Sequence, residues 1–318
     1  MSRMNLMIAL AGTAFSLCLG LAQPQASAEE RVKIAVVTHG QSADTYWSVV
    51  KKGVDDAAKL MDADVSYQAP QTTDYVAMSR MIDAAVTQKV QGLVVSIPDP
   101  TALEKSVKAA KEAGIPVIVI DSGEQEVDRL GLNFYVGTTN YFEQGVLAGK
   151  RMAAAGVTKG VCANAEPGNL TNESACDGFK EGLGQGKGDR VEISMDPTDT
   201  GARILAYLTA HPDTNGILAL GAPQCNNIVT ALRNKGIVNK YKIANFDVNG
   251  DTLQSLSNGE ILFSFDSQQY LMGYLPVVML TLNAKYGTLP IKNIYTGPTA
   301  VTAADVEKIM VLSKKGIR

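Results

Sequence analysis

The sequence predicts an α/β fold with two lobes, each built on a doubly wound sheet of mainly parallel strands. Short, nearly continuous apolar runs alternate with longer segments of helical spacing, and the alternation starts a second time near residue 139. A short run that is apolar throughout is typical of a strand buried on both faces of a parallel sheet. Strands that alternate with helices predict right-handed β-α units.

The sequence pattern predicts three β-α units in the first lobe. The predicted strands are VKIAVVT (32–38), ADVSYQAP, GLVVSI and PVIVID. The predicted helices between them run through SVVKKGVDDAAKLM, YVAMSRMIDAAVTQK and ALEKSVKAAKEAG. The segment SGEQEVDRL that follows the fourth strand has no clear helical stripe, so no helix is predicted there.

The second lobe begins after VGTTN with a long predicted helix through YFEQGVLAGKRMAAAG. Its predicted strands are KGVCAN, RVEISM, GILAL and KIANFD, and its helices run through CDGFKEGLG, ARILAYLTAHP and NNIVTALRNKG. EILFSFDSQQYLMGYLPVVMLTLNAKYG predicts a strand, a short polar break and a helix, and KNIYTGPTAVTAADVEKI follows. We expect these last segments to cross between two Rossmann-like lobes and to form a three-segment hinge with the first crossing. The predicted bounds are 29–138 with about 267–295, and 139–266 with about 296–318.

The first 28 residues predict a cleaved export signal and hence a periplasmic protein. Arg3 supplies a positive start, LMIALAGTAFSLCLGLA is an apolar core, and QASA ends in small residues at Ala26 and Ala28. The apolar stretch is short for a membrane anchor. We therefore expect cleavage after Ala28.

Composition disfavours several other classes of protein. The net charge is −3, and without the predicted signal 28 basic residues face 32 acidic ones, so a basic nucleic-acid-binding face is not indicated. His39 and His211 are the only histidines and show no metal-ligand spacing, so no metal or cofactor is expected. The sequence contains no P-loop, nucleophile elbow or Ser-His-Asp spacing, which argues against an enzyme.

Three cysteines follow the predicted signal. In an oxidising compartment, Cys162 and Cys176 could form a disulfide across a separation of 14 residues. Cys225 would then have no partner.

Polar side chains follow several predicted strands. In doubly wound sheets, ligands bind outside the carboxyl ends of the strands. The polar residues at these places are Asp44, Asp121, Asn140, Asn164 and Asp247. Two such sheets on one chain therefore predict a ligand cleft between two lobes.

Four long segments resemble the periplasmic sugar-binding proteins of the ribose-binding type. They are DTYWSVVKKGVDDAAKLMDADVSY, DAAVTQKVQGLVVSIPDPTALEKSVKAAKEAGIPVIVIDS, NNIVTALRNKGIVNKYKIANFDVNGDTL and GEILFSFDSQQYLMGYL. The resemblance covers nearly the whole chain after the predicted signal. It implies a receptor for an ATP-driven importer, with two lobes that close around a pentose, a hexose, a tetritol, an inositol or a related small polyol.

The resemblance places a polar residue and two adjacent aromatic residues after the first strand. Asp44, Tyr46 and Trp47 occupy these positions. An aromatic ring can bury the C–H face of a sugar while directed polar groups bind its hydroxyls. Alternatively, the two rings pack the first helix onto the sheet.

Four further ligand contacts are implied by the same resemblance. Asp121 is expected to accept hydrogen bonds from sugar hydroxyls, and a helix cap is its alternative role. Asp247 is another implied contact; its alternative is the N-cap of the helix DTLQSL, a place that Asp251 fits better. Asp266 is a polar contact on a crossing segment, and Asn140 is either a ligand contact or a helix N-cap.

The sequence departs from the family pattern in the second lobe. Ala175 stands where relatives carry an arginine that binds two sugar oxygens, so Asn169, Asn172 or Glu173 must take over or the ligand lacks that oxygen. Gly221 and Ala222 replace a common Asn-Asp pair. Further candidate ligand contacts are His39, Gln41, Gln224 and Gln268.

The predicted protein is a monomer whose closed form is bound by permease subunits in the inner membrane. The alternative is a receptor that reports ligand occupancy to a membrane sensor kinase. A repressor with the same lobes would need a DNA-binding headpiece ahead of VKIAVV, where the sequence has an export signal instead.

Overall fold

The computed structural model describes residues 30–40 and 44–318. The predicted export signal and Gln41 lie outside these residues. The strands are β1 (Lys33–Val37), β2 (Asp64–Gln68), β3 (Gly92–Val95), β4 (Val117–Ile120), β5 (Phe134–Thr138), β6 (Gly160–Asn164), β7 (Gly188–Glu192), β8 (Gly216–Ala219), β9 (Lys242–Phe246), β10 (Phe263–Asp266), β11 (Ile294–Gly297) and β12 (Thr299–Val301).

Helices separate most of these strands. They are α1 (Thr45–Met61), α2 (Tyr75–Thr87), α3 (Pro100–Glu112), α4 (Glu124–Leu130), α5 (Tyr141–Ala154), α6 (Leu170–Leu183), α7 (Pro197–Ala210), α8 (Ala222–Asn234), α9 (Gly250–Ser257), α10 (Gln269–Tyr286) and α11 (Val306–Ser313). Among the described residues, no helix is both long and apolar enough to cross a bilayer.

The strands form two six-stranded sheets with the same internal order. The first sheet runs β11-β5-β4-β3-β1-β2 and the second runs β12-β10-β9-β8-β6-β7. All pairs are parallel except β10 with β12. The prediction of two doubly wound α/β lobes is therefore confirmed.

The chain passes from one sheet to the other three times. The passages lie between β5 and α5, between β10 and α10, and between β11 and β12. After the first passage α5 packs on α6 in the second lobe, and after the second passage α10 packs on α1 in the first lobe. The residue bounds predicted for the two lobes stay a prediction, because sheet membership alone does not assign the connecting segments.

Several elements were not expected from the sequence, among them α4 and β5 in the first lobe and β11, β12 and α11 near the end of the chain. SGEQEVDRL does contain a helix, α4, but its seven residues place only Glu126, Val127 and Leu130 in the interior, which is too short a stripe to recognise. Residues FYVGT form β5, which the sequence analysis did not identify as a strand.

Apolar runs identified the central strands because these strands are buried on both faces. Every residue of β3, β4 and β8 is buried. The two faces of each sheet pack against separate clusters of apolar side chains. This burial on both sides fixes the positions of the loops at the strand ends.

Glycines allow the backbones of paired helices to touch. A Cβ atom on Gly178 of α6 would lie 2.0 Å from the carbonyl oxygen of Phe142 in α5, and one on Gly145 would lie 2.0 Å from that of Ala175. In the first lobe, Gly273 of α10 approaches Val50 of α1 in the same way. Each helix pair therefore requires glycine at its contact.

We expect Gly178→Ala to lower the free energy of unfolding by about 1–2 kcal/mol. Overpacking a close contact costs about 1–3 kcal/mol, and the better helix propensity of alanine returns up to about 1 kcal/mol. Chemical denaturation measures the difference. Gly250→Ala is the matched control because no atom lies within 4 Å of its added Cβ, so equal stabilities of the two variants would contradict the argument.

Candidate functional site

A cleft lies between the carboxyl ends of the two sheets. From the first lobe it is lined by His39, Asp44, Tyr46, Trp47, Asp121 and Ser122. From the second lobe it is lined by Tyr141, Ala165, Glu166, Asn169, Thr171, Asn172, Leu220, Gly221, Ala222, Pro223, Gln224, Phe246 and Asp247. Its volume is about 600 Å³ with the solvent at its mouth included.

Asp121 is the centre of a hydrogen-bond network in this cleft. Its Oδ1 atom accepts from the hydroxyl of Tyr46 at 2.5 Å and from that of Tyr141 at 3.1 Å, and its Oδ2 atom accepts from Ser122 at 2.7 Å. Tyr141 begins α5, which packs in the second lobe. The Asp121 carboxylate therefore contacts side chains from both lobes.

Asp247 occupies the equivalent position in the second lobe. It follows β9 as Asp121 follows β4, and both residues have positive φ, +68° and +60°. Such a conformation is uncommon for a residue other than glycine and clusters at functional sites. The Asp247 carboxylate accepts from Ser267 at 2.5 Å and from Gln269 at 3.1 Å.

Burial raises the pKa of Asp247 well above its ordinary value. The hydrogen bond from Ser267 lowers this pKa, while the negative charges of Asp121 and Asp266 raise it further. Neither Asp247 nor Asp251 caps α9: Asn249 does, through a reciprocal pair of bonds with Thr252. The alternative cap role considered for Asp247 is therefore wrong.

Asp44 has two structural roles. It is the N-cap of α1, where its carboxylate accepts from the backbone N–H of Tyr46 at 2.9 Å, and it also lines the cleft. Burial raises its pKa from 3.8 to about 6; the bond from Tyr46 lowers it, and the charge of Glu166 raises it. Asp44 is therefore poorly stabilised as an anion in the ligand-free protein.

We expect Asp44→Asn to stabilise the ligand-free protein by up to about 3 kcal/mol at pH 7.5 and not at pH 4. A carboxyl whose pKa is raised on folding contributes stability that is complete below its unfolded pKa of about 4 and is lost as the pH rises through about 6. Asparagine caps a helix as well as aspartate does and removes only the titration. Denaturant unfolding at both pH values provides the measurement, and an equal effect at both would refute the assignment.

Tyr46 and Trp47 form one aromatic wall of the cleft together with His39. The Trp47 ring lies 4.9 Å from the His39 ring and 5.0 Å from the Tyr46 ring, both edge to face. Trp47 is 6% exposed and also belongs to the apolar cluster under α1. Trp47 therefore both packs under α1 and lines the cleft.

Glycine at position 40 leaves room for the Trp47 ring, because a Cβ on Gly40 would overlap the indole.

His39 lies between carboxylates of the two lobes. Its Nε2 atom is 3.9 Å from Asp121 and 3.9 Å from Glu166, and its Nδ1 atom contacts the Ser96 hydroxyl at 2.9 Å. Glu166 is held in turn by the side-chain amides of Asn169 and Asn172.

Gln224 is the buried polar residue of the second-lobe wall. It is 6% exposed, its Nε2 atom contacts the sulfur of Met195, and within the described chain its Oε1 atom has no hydrogen-bond partner. A Cβ on Gly221 would lie 2.2 Å from Oε1. Glycine at 221 therefore leaves space for this acceptor at the cleft.

Five of the eight principal candidates and two of the weaker ones line the cleft. They are Asp44, Tyr46, Trp47, Asp121 and Asp247, with His39 and Gln224. Whether these residues contact the ligand stays a prediction, and the same holds for Gln41, which lies outside the described residues.

The remaining candidates among the described residues lie outside the lining of the cleft. Asn140 is exposed and caps α5, accepting from the Phe142 N–H at 2.8 Å. Asn164 is buried and accepts from the Glu166 N–H at 2.9 Å. Asp266 is buried and forms an ion pair with Arg318, while Gln268 donates to the Thr296 carbonyl at 2.5 Å.

Glu173 and Ala175 also lie away from the cleft lining. Glu173 accepts from the Gly168 N–H at 3.0 Å and lies 3.6 Å from Arg190. Ala175 is fully buried against α5, so it does not mark a vacant position on the cleft wall. Of the three residues expected to substitute for the family arginine, Asn169 and Asn172 line the cleft.

Sequence reasoning missed four cleft residues of chemical interest. They are Ser122, Tyr141, Glu166 and Phe246. Each lies within two residues of a predicted contact, so extending every strand-end position by two residues would have included them. Within the described residues, no group of acidic, histidine or cysteine side chains could hold a metal ion.

Comparisons with known proteins agree with this architecture. Residues 34–288 match the family model described as a periplasmic binding protein domain. A xylose/arabinose-binding protein of Sulfolobus acidocaldarius is 27% identical over 89% of this chain and 74% of its own length. A D-ribose/D-allose-binding protein of Pseudomonas aeruginosa is 25% identical over 82% of this chain and 85% of its own.

A solved structure shares both the fold and recognisable sequence. The carbohydrate transporter from Acidothermus cellulolyticus, crystallised with myo-inositol, superposes with a TM-score of 0.84 at 29% identity. The similarity covers 91% of this chain and 100% of that one. This chain therefore belongs to the periplasmic binding protein domain family and, within it, to the ribose-binding-like type.

Proposed function

We propose that this chain is the substrate-binding protein of an ABC-type importer and binds a monosaccharide or related polyol in the cleft between its lobes. The observation that carries the proposal is the composition of that cleft, where carboxylates and aromatic rings from both sheets face one another. The xylose/arabinose-binding and ribose/allose-binding relatives and the myo-inositol complex support a carbohydrate ligand.

The chemistry of the lining suits a polyhydroxylated ring. The rings of Tyr46 and Trp47 offer apolar surface for its C–H groups. The carboxylates of Asp121 and Asp247, one from each lobe, are acceptors for its hydroxyls, and hydrogen bonds to a charged acceptor are the stronger kind. The lining thus provides both orientation and affinity.

Ligand binding would favour the closed arrangement of the lobes. Tyr141 of α5 donates to Asp121, and the N–H of Leu170 approaches the carbonyl of Pro98 at 3.4 Å, so the two lobes already meet across the cleft. A ligand that contacts both walls adds interactions to the closed form alone and shifts the population towards it. Permease subunits would then recognise the closed face.

The proposal has three further parts, which concern export, cellular location and partners. We propose export through a signal cleaved after Ala28, function as a monomer in the periplasm, and delivery of ligand to permease subunits of the inner membrane. The known relatives are solute-binding proteins, which supports a receptor that carries out no reaction.

A thermal-shift screen of the mature protein tests the ligand class. The panel contains pentoses, hexoses, tetritols, inositols and branched sugars, with amino acids and nucleotides as the competing ligand classes. A ligand at a hundred times its dissociation constant adds about 2.7 kcal/mol to the free energy of unfolding. A shift with amino acids or nucleotides and none with any carbohydrate would overturn the proposal.

The fluorescence of Trp47 offers a second test, since it is the only tryptophan of the chain. We expect a bound ligand to change its emission, because the indole lines the cleft and contacts Tyr46 and His39. Titration with a ligand confirmed by calorimetry provides the measurement. Unchanged emission at saturation would assign Trp47 to packing alone and leave Tyr46 as the stacking ring.

A further inference from the structure

The cleft has an unbalanced charge. Four carboxylates line it, those of Asp44, Asp121, Glu166 and Asp247. Lysine and arginine are absent from its described lining, and residues 41–43, which are Gln, Ser and Ala, would add neither. The imidazole of His39 is thus the only side chain on this lining that could carry positive charge.

The hydrogen-bond donors of the lining are largely committed to two of these carboxylates. The hydroxyls of Tyr46, Tyr141 and Ser122 donate to Asp121. The amides of Asn169 and Asn172 donate to Glu166. Among the described residues, the ligand therefore meets a surface rich in acceptors, whose uncommitted side-chain donors are those of Trp47, His39 and Thr171 and the second amide N–H of Asn169, Asn172 and Gln224.

Gln224 provides independent evidence that the cleft has more hydrogen-bond acceptors than donors. Its amide oxygen is buried at the cleft and, in the described part of the chain, has no donor. Leaving a buried acceptor unpaired is unfavourable, so a donor on the ligand would pair with it and recover that loss. This residue belongs to the second-lobe wall, opposite Asp44 and the aromatic pair of the first lobe.

The aromatic rings complete an environment suited to a cation. Tyr46 and Trp47 form one wall and Phe246 lines the other, next to Tyr141 at a ring distance of 6.3 Å. A cation over such ring faces is attracted by the negative charge of the aromatic π face. An ammonium group also has three donors and no acceptor, which matches the excess of acceptors.

We propose that the ligand of this cleft is a carbohydrate that carries a protonated amino group, such as an amino sugar or an amino-substituted cyclitol. The inference rests on the proposed carbohydrate-binding function and narrows its ligand class. A neutral polyol would satisfy acceptors but leave four carboxylates with at most one positive charge. The ammonium group supplies both the donors and the missing charge.

Protonation of the cleft gives the inference a distinctive pH dependence. Burial and like charges raise the pKa values of Asp44 and Asp247, and His39, Asp121, Glu166, Tyr46 and Tyr141 are the other titratable groups facing this space. A cationic ligand binds better when the carboxyls are ionised, so its binding releases protons and its affinity rises with pH. A neutral polyol also gains from ionised acceptors but carries no charge, so its affinity should rise less with pH.

Isothermal titration calorimetry on the purified mature protein tests the proposal with matched ligands. The pairs are glucose with glucosamine, galactose with galactosamine, and myo-inositol with an inosamine, and N-acetylglucosamine keeps the ring but removes the charge. For at least one pair, we expect the amine to bind about tenfold or more tightly than its neutral partner, and about tenfold more tightly at pH 7.0 than at pH 5.0.

A conservative variant separates the charge from the shape of the site. Glu166→Gln keeps an acceptor for Asn169 and Asn172 and removes one negative charge. We expect it to weaken binding of the amine about tenfold and that of a neutral sugar less than about threefold. Glu112→Gln, at the exposed end of α3, is the control and should change neither.

The outcomes distinguish the two proposals. If neutral sugars bind as tightly as their amines, or N-acetylglucosamine binds as tightly as glucosamine, the amino group is not recognised and only the broader sugar-binding function stands. If neither neutral sugars nor their amines bind, the carbohydrate-binding function itself fails.

Discussion

Replacing Asp121 with asparagine is expected to weaken ligand binding by about a hundredfold, a loss of about 2.7 kcal/mol. The carboxylate accepts from Tyr46 and Tyr141 on one oxygen and from Ser122 on the other. An asparagine amide has only one oxygen and presents an NH₂ group to donors that need an acceptor. The substitution therefore affects the orientation of the tyrosines as well as the direct contact.

Asparagine is the informative replacement because of the backbone. Asp121 has a φ of +60°, a conformation that asparagine tolerates better than alanine does. The variant should fold, so calorimetric affinity and thermal unfolding can be measured on the same preparation. Asp128→Asn makes the same chemical change at an exposed site on α4 and should leave affinity unchanged. An affinity loss under about fivefold at Asp121 would argue against its place at the ligand.

The sequence identified cleft residues where a buried strand was followed directly by a polar residue. PVIVID has an uninterrupted apolar run and KIANFD a mainly apolar one that Asn245 interrupts, so the burial of β4 and of most of β9 and the positions of Asp121 and Asp247 follow from the pattern. Asp44, Tyr46 and Trp47 follow β1 in the same manner. The aromatic pair was ambiguous because periodicity cannot distinguish a ring that packs from one that lines a cleft, and Trp47 does both.

Other site residues could not be identified from local pattern. Asn140 lies just after β5 and Asn164 is the last residue of β6, yet each side chain accepts from the backbone N–H two residues further on. Asx side chains have this local option wherever the chain turns. Asp266 depends on an ion pair with Arg318, which is 52 residues away in the sequence. Only the tertiary fold decides between such partners and a ligand.

The disulfide has a direct relation to the second-lobe wall of the cleft. It joins Cys162 of β6 to Cys176 of α6, as the sequence allowed. The segment between these cysteines contains five residues of the cleft lining: Ala165, Glu166, Asn169, Thr171 and Asn172. Glu166 and the two asparagines bond to one another within this closed segment. By closing this segment, the disulfide limits the positions that the Glu166 carboxylate and its two asparagine partners can adopt at the cleft.

Removing this disulfide by Cys162→Ala with Cys176→Ala is expected to lower the free energy of unfolding by about 3 kcal/mol. On the chain-entropy account, a closed loop of about 15 residues contributes this amount, and loss of native disulfides from small secreted domains costs about 2–5 kcal/mol. Both cysteines are fully buried, so some lost packing adds to the entropy term. Urea denaturation under oxidising conditions measures the change.

The matched control is Cys225→Ala, which removes a buried thiol outside the disulfide. We expect it to cost about 1 kcal/mol, as for the loss of a small buried group. Alkylation of the unfolded, unreduced protein should label Cys225 and leave Cys162 and Cys176 unmodified, so labelling of all three would exclude the disulfide. If the double variant matched wild type in stability but bound ligand more weakly, the disulfide would act on the cleft wall alone. Equal stability and equal affinity would show that the hydrogen bonds of Glu166 with Asn169 and Asn172 hold that wall without covalent help.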